Sequence, residues 1–138
     1  MTFFRTALIA ALTMSVMGGI ATAAPRVALD PAQSRVLRIT NMHPDRDCHP
    51  DVVTGTVTAT STDRRQGGFA SVNIRSRDGV VTRLNIAADT NQLSMHELAW
   101  FQDGMAKMLR RGASVRAGYK ACGAAGRMLF LDSLQPSR

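Results

Sequence analysis

Residues 40–51, TNMHPDRDCHPD, concentrate side chains that could hold a metal or act as nucleophiles. His43, Cys48 and His49 supply two imidazoles and a thiol, and Met42 adds a thioether. These groups are ligands for copper and zinc. Their spacing differs from that of common zinc motifs, and the adjacent Cys48 and His49 point apart in an extended segment. The competing interpretation is a polar loop whose aspartates and prolines form turns.

Cys48 and Cys122 are the two cysteines of the chain. In an exported protein an even pair usually closes into a disulfide. Closing a loop of roughly seventy residues would constrain the unfolded chain by about 4 kcal/mol. The disulfide would also remove Cys48 as a thiolate ligand and as a nucleophile.

The prediction of export comes from residues 1–23. Arg5 provides a positive start, residues 7–20 form an apolar run, and residues 21–23, Ala-Thr-Ala, match the rule for signal-peptide cleavage. The apolar run is too short for a comfortable membrane span. We therefore expect a periplasmic or secreted protein with no membrane span in the mature chain.

Hydrolytic chemistry is not favoured by the remaining polar residues. Ser94, His96 and Asp89 are residue types found in hydrolases, but Ser94 and His96 are two positions apart on a predicted helix and do not face each other. No nucleophile-elbow sequence surrounds the serine. Glu97 is the single glutamate, so paired carboxylates would have to come from scattered aspartates. We predict a non-enzymatic protein without a cofactor.

Three segments after residue 51 alternate apolar and polar side chains, the pattern of half-buried strands. They cover residues 52–62, 69–76 and 80–87, and the Asp78-Gly79 pair predicts a hairpin between the last two. The positions predicted to face inward are Val53, Gly55, Val57, Ala59, Ala70, Val72, Ile74, Val80, Leu84 and Ile86.

The apolar period becomes helical over residues 91–111. Ser94 and Glu97 fit a capping box, and Gly112 is a natural stop after the last turn. The side chains predicted to form or widen the apolar face are Leu93, Met95, Leu98, Trp100, Phe101, Met105, Met108 and Leu109. Two further strands are predicted over residues 113–120 and 127–134.

This order predicts a mainly β fold with one helix, an OB-like five-stranded Greek-key barrel (β-β-β-α-β-β) with one disulfide. Gly55 falls mid-strand, where a barrel strand must bend. The first and fourth strands of such a barrel pair antiparallel, which would place Cys48 beside Cys122. An α+β roll with the same element order stays open. We expect the domain to cover residues 48–136, after a loose leader over 24–47 with an edge strand at 36–39.

The segment SMHELAWFQDGMAKMLRRGASVRAGY, residues 94–119, resembles the helix-to-strand passage in receptor-binding B subunits of pertussis-like and subtilase-type AB5 toxins. In both, a long helix ends in a glycine, here Gly112, before a strand carrying Val115, Arg116 and Tyr119. The resemblance implies an exported OB fold that binds glycans through barrel-surface loops and forms a ring. It carries over no specific glycan-contact residue.

The charge points to an anionic ligand. Lys and Arg total 17 against 10 Asp and Glu, a net charge of +7 at pH 7, and all but two of the cations are arginines. Guanidinium forks bind carboxylates, phosphates and sulfates. An arginine-rich composition also follows from a GC-rich genome, so the charge alone identifies no ligand.

The outward positions of the second and third predicted strands, with their flanking loops, form the predicted binding face. Its residues are Arg64, Arg65, Asn73, Arg75, Arg77, Arg83 and Asn85. The competing interpretation is a solvated face that protects sheet edges from aggregation. Nucleic acid is disfavoured as a partner because Phe69 is the one aromatic ring near this face, and single-strand binders stack bases on exposed rings.

The predicted function is therefore an exported binding domain for a glycan or another anionic ligand, able to self-associate through the helix at 91–111. One alternative is a periplasmic copper- or zinc-handling protein that uses the segment 40–51. Another is an inhibitor or immunity-type factor that binds a protein partner.

Overall fold

The computed structural model of the protein describes residues 24–32, 35–45, 47–64 and 68–137. The predicted signal peptide and Arg65 lie outside these residues. The elements in chain order are β1 (Arg26–Leu29), β2 (Val36–Thr40), β3 (His49–Asp63), β4 (Gly68–Ser76), β5 (Val81–Asn85), α1 (Met95–Met108), β6 (Ser114–Cys122), a 3₁₀ turn (Ala124–Gly126) and β7 (Met128–Pro136).

The strands form one seven-stranded sheet in the order β1-β2-β7-β5-β4-β3-β6, and β7 also pairs with β6. All pairings are antiparallel except that of β5 with β7, which is parallel and joins Asn85 to Phe130. Because β7 pairs with both β5 and β6, the strands β3, β4, β5, β7 and β6 are paired in a cycle. The prediction of a mainly β fold with one helix and a disulfide is confirmed over the described residues, which form seven strands rather than five.

The two additional strands come from the N-terminal segment. The predicted edge strand is present as β2, whereas residues 26–29, expected to be loose, form β1. β1 pairs with β2 along its whole length, and β2 joins β7 at Ile39 and Leu134. The short β1 is therefore stabilised by a partner strand that its own sequence does not indicate.

The core lies between the inner faces of the strands and α1. Its buried side chains include Val57, Ile74 and Leu84, which come from neighbouring strands. The others are Ile39, Met42, Val53, Val72, Phe101, Met105, Met108, Leu109, Val115, Ala117, Leu131 and Leu134.

At Gly55, the backbones of β3 and β4 lie in close contact. A Cβ atom on this residue would overlap the carbonyl oxygen of Arg75 on β4. Backbone atoms cannot move aside as a flexible side chain would, so this position requires glycine.

α1 begins with the predicted capping box. The Ser94 hydroxyl accepts from the Glu97 N–H at 3.2 Å, and the Glu97 carboxylate accepts from the Ser94 N–H at 2.9 Å. The helix covers Met95–Met108 rather than the predicted 91–111, so it begins four residues later and ends three residues earlier. Beyond its end, the Gly112 N–H donates to the Val57 carbonyl at 2.8 Å. Gly112 has a φ of +88°, which favours glycine.

The packing corrects three inward predictions. Met95 is 89% exposed because it lies about 100° around the helix from the centre of the buried stripe. Val80 is 57% exposed because it belongs to the hairpin turn rather than to β5. Ala59 is exposed because a register shift between Val57 and Ala59 interrupts the alternation of β3.

Neither helix in the described part of the chain is long and apolar enough to cross a bilayer.

Candidate functional site

The disulfide joins Cys48 and Cys122 across the end of the β3–β6 pairing. His49 pairs with Ala121, so the two cysteines lie opposite each other one position further on, with 4.6 Å between their Cα atoms. This confirms the bond predicted from the cysteine count and the strand order. Both sulfurs are bonded, so the oxidised protein offers no thiolate.

His43 lies against this disulfide. Its ring stacks on Phe130 of β7, with centroids 4.3 Å apart and an interplanar angle of 6°. Its backbone N–H donates to the Asp132 carboxylate at 2.9 Å, and its Nε2 atom lies 3.6 Å from Cys122 Sγ. The ligand atoms of His43, Cys48 and Cys122 all lie within 4.8 Å of one another.

The other candidate ligands of the segment 40–51 are not part of this cluster. Met42 is 1% exposed and belongs to the core. His49 is exposed on β3 and lies outside the group formed by His43 and the two sulfurs. Of the two histidines in the segment 40–51, the fold therefore places His43 beside the disulfide.

A tyrosine and an aspartate extend the polar contacts beyond the disulfide. The Tyr119 hydroxyl donates to the Asp51 carboxylate at 3.3 Å. Burial raises the pKa of Tyr119, and the neighbouring Asp51 charge raises that pKa further. The phenol therefore stays protonated and acts as a donor at neutral pH.

The predicted binding face is partly brought together. Asn73 pairs with Arg83, and Arg75 lies diagonally from Arg83 on the same outer face. Asn85 completes this row, opposite Ser71. We call Asn73, Arg75, Arg83 and Asn85 the outer row.

The remaining residues of the predicted binding face do not form one site with the outer row. Arg64 follows β3, and Arg77 lies in the turn after β4, so they flank opposite ends of β4. Eight residue steps along β4 span about 26 Å. Both side chains are exposed, and Arg65 is outside the described residues.

A second basic surface lies across β6, β7 and β2. Arg116 pairs with Gln135 across β6 and β7. On the other side of β7, the antiparallel pair Ile39–Leu134 places Arg38 beside Gln135. Two arginines on adjacent strands therefore flank Gln135.

The next row of the same face forms the floor of a shallow groove. Gly118 lies between Val52 on β3 and Ser133 on β7. A Cβ atom on Gly118 would overlap the Ser133 hydroxyl oxygen, so glycine keeps this position open. The resulting cavity has a volume of about 300 Å³ and is lined by Arg38, Val52, Arg116, Gly118, Ser133 and Gln135. We call it the arginine groove.

Neither arginine of the arginine groove forms an ion pair within the described chain. The ion pairs among the described residues join Arg35 to Asp30 and Lys107 to Asp103. Arg38 and Arg116 are exposed and take part in neither pair. Two such guanidiniums around a polar cavity attract an anion.

The arginine groove could not be predicted from local sequence patterns because its residues come from both ends of the chain. The outward position of Arg116 follows from the alternation of residues 113–120. Its proximity to Arg38 depends on the β2–β7 pairing, which no local pattern indicates. The alternation of Ser133 and Gln135 with buried Leu134 is the one local signal of an outer polar row.

No protein-family model, curated protein or solved structure gives a significant match to this chain. The resemblance to toxin B subunits therefore stays an expectation drawn from residues 94–119.

Proposed function

We propose that this protein is an exported OB-like barrel that binds an anionic ligand, an acidic glycan in particular, through the arginine groove. The observation that carries the proposal is the placement of Arg38 and Arg116 on either side of Gln135, with no ion-pair partner in the described chain. A guanidinium pair can hold a carboxylate or sulfate while an amide and a hydroxyl bond neighbouring sugar hydroxyls.

The strand pairings support the OB-like interpretation. β3, β4, β5, β7 and β6 pair in a cycle, β5 and β7 run parallel, and α1 lies between β5 and β6 in the chain. This order is the one expected for an OB barrel, with the β1–β2 hairpin added beside β7. OB folds commonly bind oligonucleotides and oligosaccharides on the barrel surface.

The size and chemistry of the groove support a small acidic unit as the bound group. Its volume of about 300 Å³ is at the lower end of ligand-binding cavities. The described residues of its lining include no carboxylate, imidazole or thiol to act as a general acid, base or nucleophile. These features support binding rather than catalysis.

The outer row provides a second contact for longer ligands. Arg75 pairs with Thr56 on β3, and Arg116 pairs with Thr54 of the same strand. Two strand spacings and a two-residue offset place the two arginine Cα atoms about 12 Å apart. An extended polyanion crossing the outer face of β3 could therefore contact both.

A screen of acidic, sulfated and neutral glycans with inorganic polyphosphate tests the proposal. We expect the mature protein to retain acidic or sulfated glycans, and the Arg38→Gln/Arg116→Gln variant to lose them while keeping its circular dichroism. Unchanged retention by that variant would exclude the arginine groove. Retention of neutral glycans alone would exclude an anionic ligand.

A further inference from the structure

The disulfide and His43 form a cluster that anion binding does not use. We propose that reduction of the Cys48–Cys122 bond converts this cluster into a site for a thiophilic cation, zinc or Cu(I), with two thiolates and His43 Nε2 as ligands. This inference does not depend on the arginine groove. It assigns to the segment 40–51 a role that is absent in the oxidised protein and present in the reduced one.

The distance between the His43 imidazole and the Cys122 sulfur matches the separation of two ligands bound to one zinc ion. Zinc bonds of about 2.3 Å to sulfur and 2.05 Å to nitrogen, at a tetrahedral angle, separate the N and S atoms by about 3.6 Å and two sulfurs by about 3.8 Å. The observed distance from His43 Nε2 to Cys122 Sγ is 3.6 Å. After reduction the two sulfurs must separate, and Cys48 Sγ, which lies within 4.8 Å of the imidazole, must reach the same distance from Nε2 as Cys122 Sγ.

His43 is held in place by contacts that do not involve the disulfide. Phe130 stacks on its ring, and Asp132 accepts its backbone N–H. Nε2 faces Cys122, so a neutral ring with its proton on Nδ1 directs a lone pair at the sulfur site. A histidine binds a metal through such a neutral ring nitrogen.

The strand pairings keep the two cysteines together when the bond is absent. The β3–β6 ladder continues from His49–Ala121 through seven further residue pairs, ending at Thr56 and Ser114. On the other side, Cys122 pairs with Met128 of β7. The reduced thiols would therefore remain near each other and near His43.

The conversion has a defined balance of electrons and protons. A dithiol reductant breaks the sulfur–sulfur bond by exchange, gives two electrons and two protons to the cysteines, and itself becomes a disulfide. Metal binding then displaces the two thiol protons into solvent. Zinc would take a solvent molecule as its fourth ligand, and the soft thiolates suit Cu(I).

Metal titration of the mature protein tests this proposal, with Zn²⁺ alone and Cu⁺ alone as probes. Oxidised protein and protein reduced with a phosphine would be compared by native mass spectrometry and circular dichroism under anaerobic conditions. We expect one ion per reduced chain and none on the oxidised chain. His43→Ala should weaken binding by about tenfold or more, because a ligand is lost.

His49→Ala is the matched control, since His49 lies in the same segment but outside the cluster. It should bind as the wild type does. Equal binding by oxidised and reduced protein, or by folded His43→Ala and wild type, would overturn the proposal. A reduced chain that unfolds and does not regain its native circular dichroism on addition of either ion would also overturn it.

Discussion

Cys48 lies opposite Cys122 one residue beyond the last pair of the β3–β6 ladder, and their disulfide joins positions 74 residues apart. The bond therefore closes more than half of the 138-residue chain at a point where two strands already meet. Its geometric role is to hold the start of β3 against the end of β6.

Replacing both cysteines by alanine should lower the free energy of unfolding by about 4 kcal/mol, the loop-entropy contribution expected for this separation. Urea unfolding of the variant and of oxidised wild type measures the difference. A loss below about 1 kcal/mol would contradict a stabilising role for the bond.

Gly55→Ala should destabilise the fold by at least about 2 kcal/mol, because the added methyl group overlaps the Arg75 carbonyl oxygen on β4. Gly68→Ala is the matched control: Gly68 also lies in a strand, and its Cβ would meet no atom within 4 Å. Thermal unfolding compares the two. Equal stability of the variants would show that β4 can move away from β3.

The Asp78 carboxylate should titrate below its ordinary range. The Ser76 hydroxyl donates to it and lowers its pKa, and the Val80 N–H adds to this effect at 3.3 Å. A depressed pKa in the folded state means that the stabilisation is present above the unfolded pKa and is lost as the pH falls through the folded pKa. The hairpin should therefore loosen only in acid.

Carboxyl chemical shifts across a pH titration measure this effect. In Ser76→Ala the pKa of Asp78 should rise toward its ordinary value. A pKa of Asp78 that is the same in both proteins would mean that the hydroxyl does not stabilise the carboxylate in solution.

Ligand length should separate the arginine groove from the outer row. Arg75→Gln/Arg83→Gln should weaken binding of a long acidic oligosaccharide more than binding of a single acidic sugar, because only the long ligand reaches across β3. Affinities of the two ligands for wild type and variant provide the comparison. Equal weakening of both would place the short ligand on the outer row instead.

The secondary-structure elements other than β1 could be predicted because each depends on a pattern of residues close together in the sequence. Alternation of residues 52–62 indicates β3, Ser94 and Glu97 define the start of α1, and Asp78-Gly79 forms the predicted hairpin turn. The disulfide was also predictable, since two cysteines and a strand order leave one pairing.

The arginine groove and β1 were not predictable for a common physical reason. Alternation tells which face a side chain occupies but not which strand lies beside it. Arg38 and Gln135 become neighbours only when β2 pairs with β7, and residues 26–29 become a strand only when β2 is present. The orientation of His43 likewise depends on Phe130 and Asp132, which lie almost ninety positions away.

We propose that Arg38 and Arg116 form an anion site. Calorimetric titration of the acidic glycan selected by the screen tests it most directly, with Arg38→Gln/Arg116→Gln compared with Arg110→Gln/Arg111→Gln. Arg110 and Arg111 are also exposed, and their replacement changes the net charge equally. We predict a loss of affinity of about tenfold or more for the groove variant, as expected for lost charge-assisted hydrogen bonds, and little change for the control. Equal losses in both variants would mean that net charge, not the arginine groove, holds the ligand.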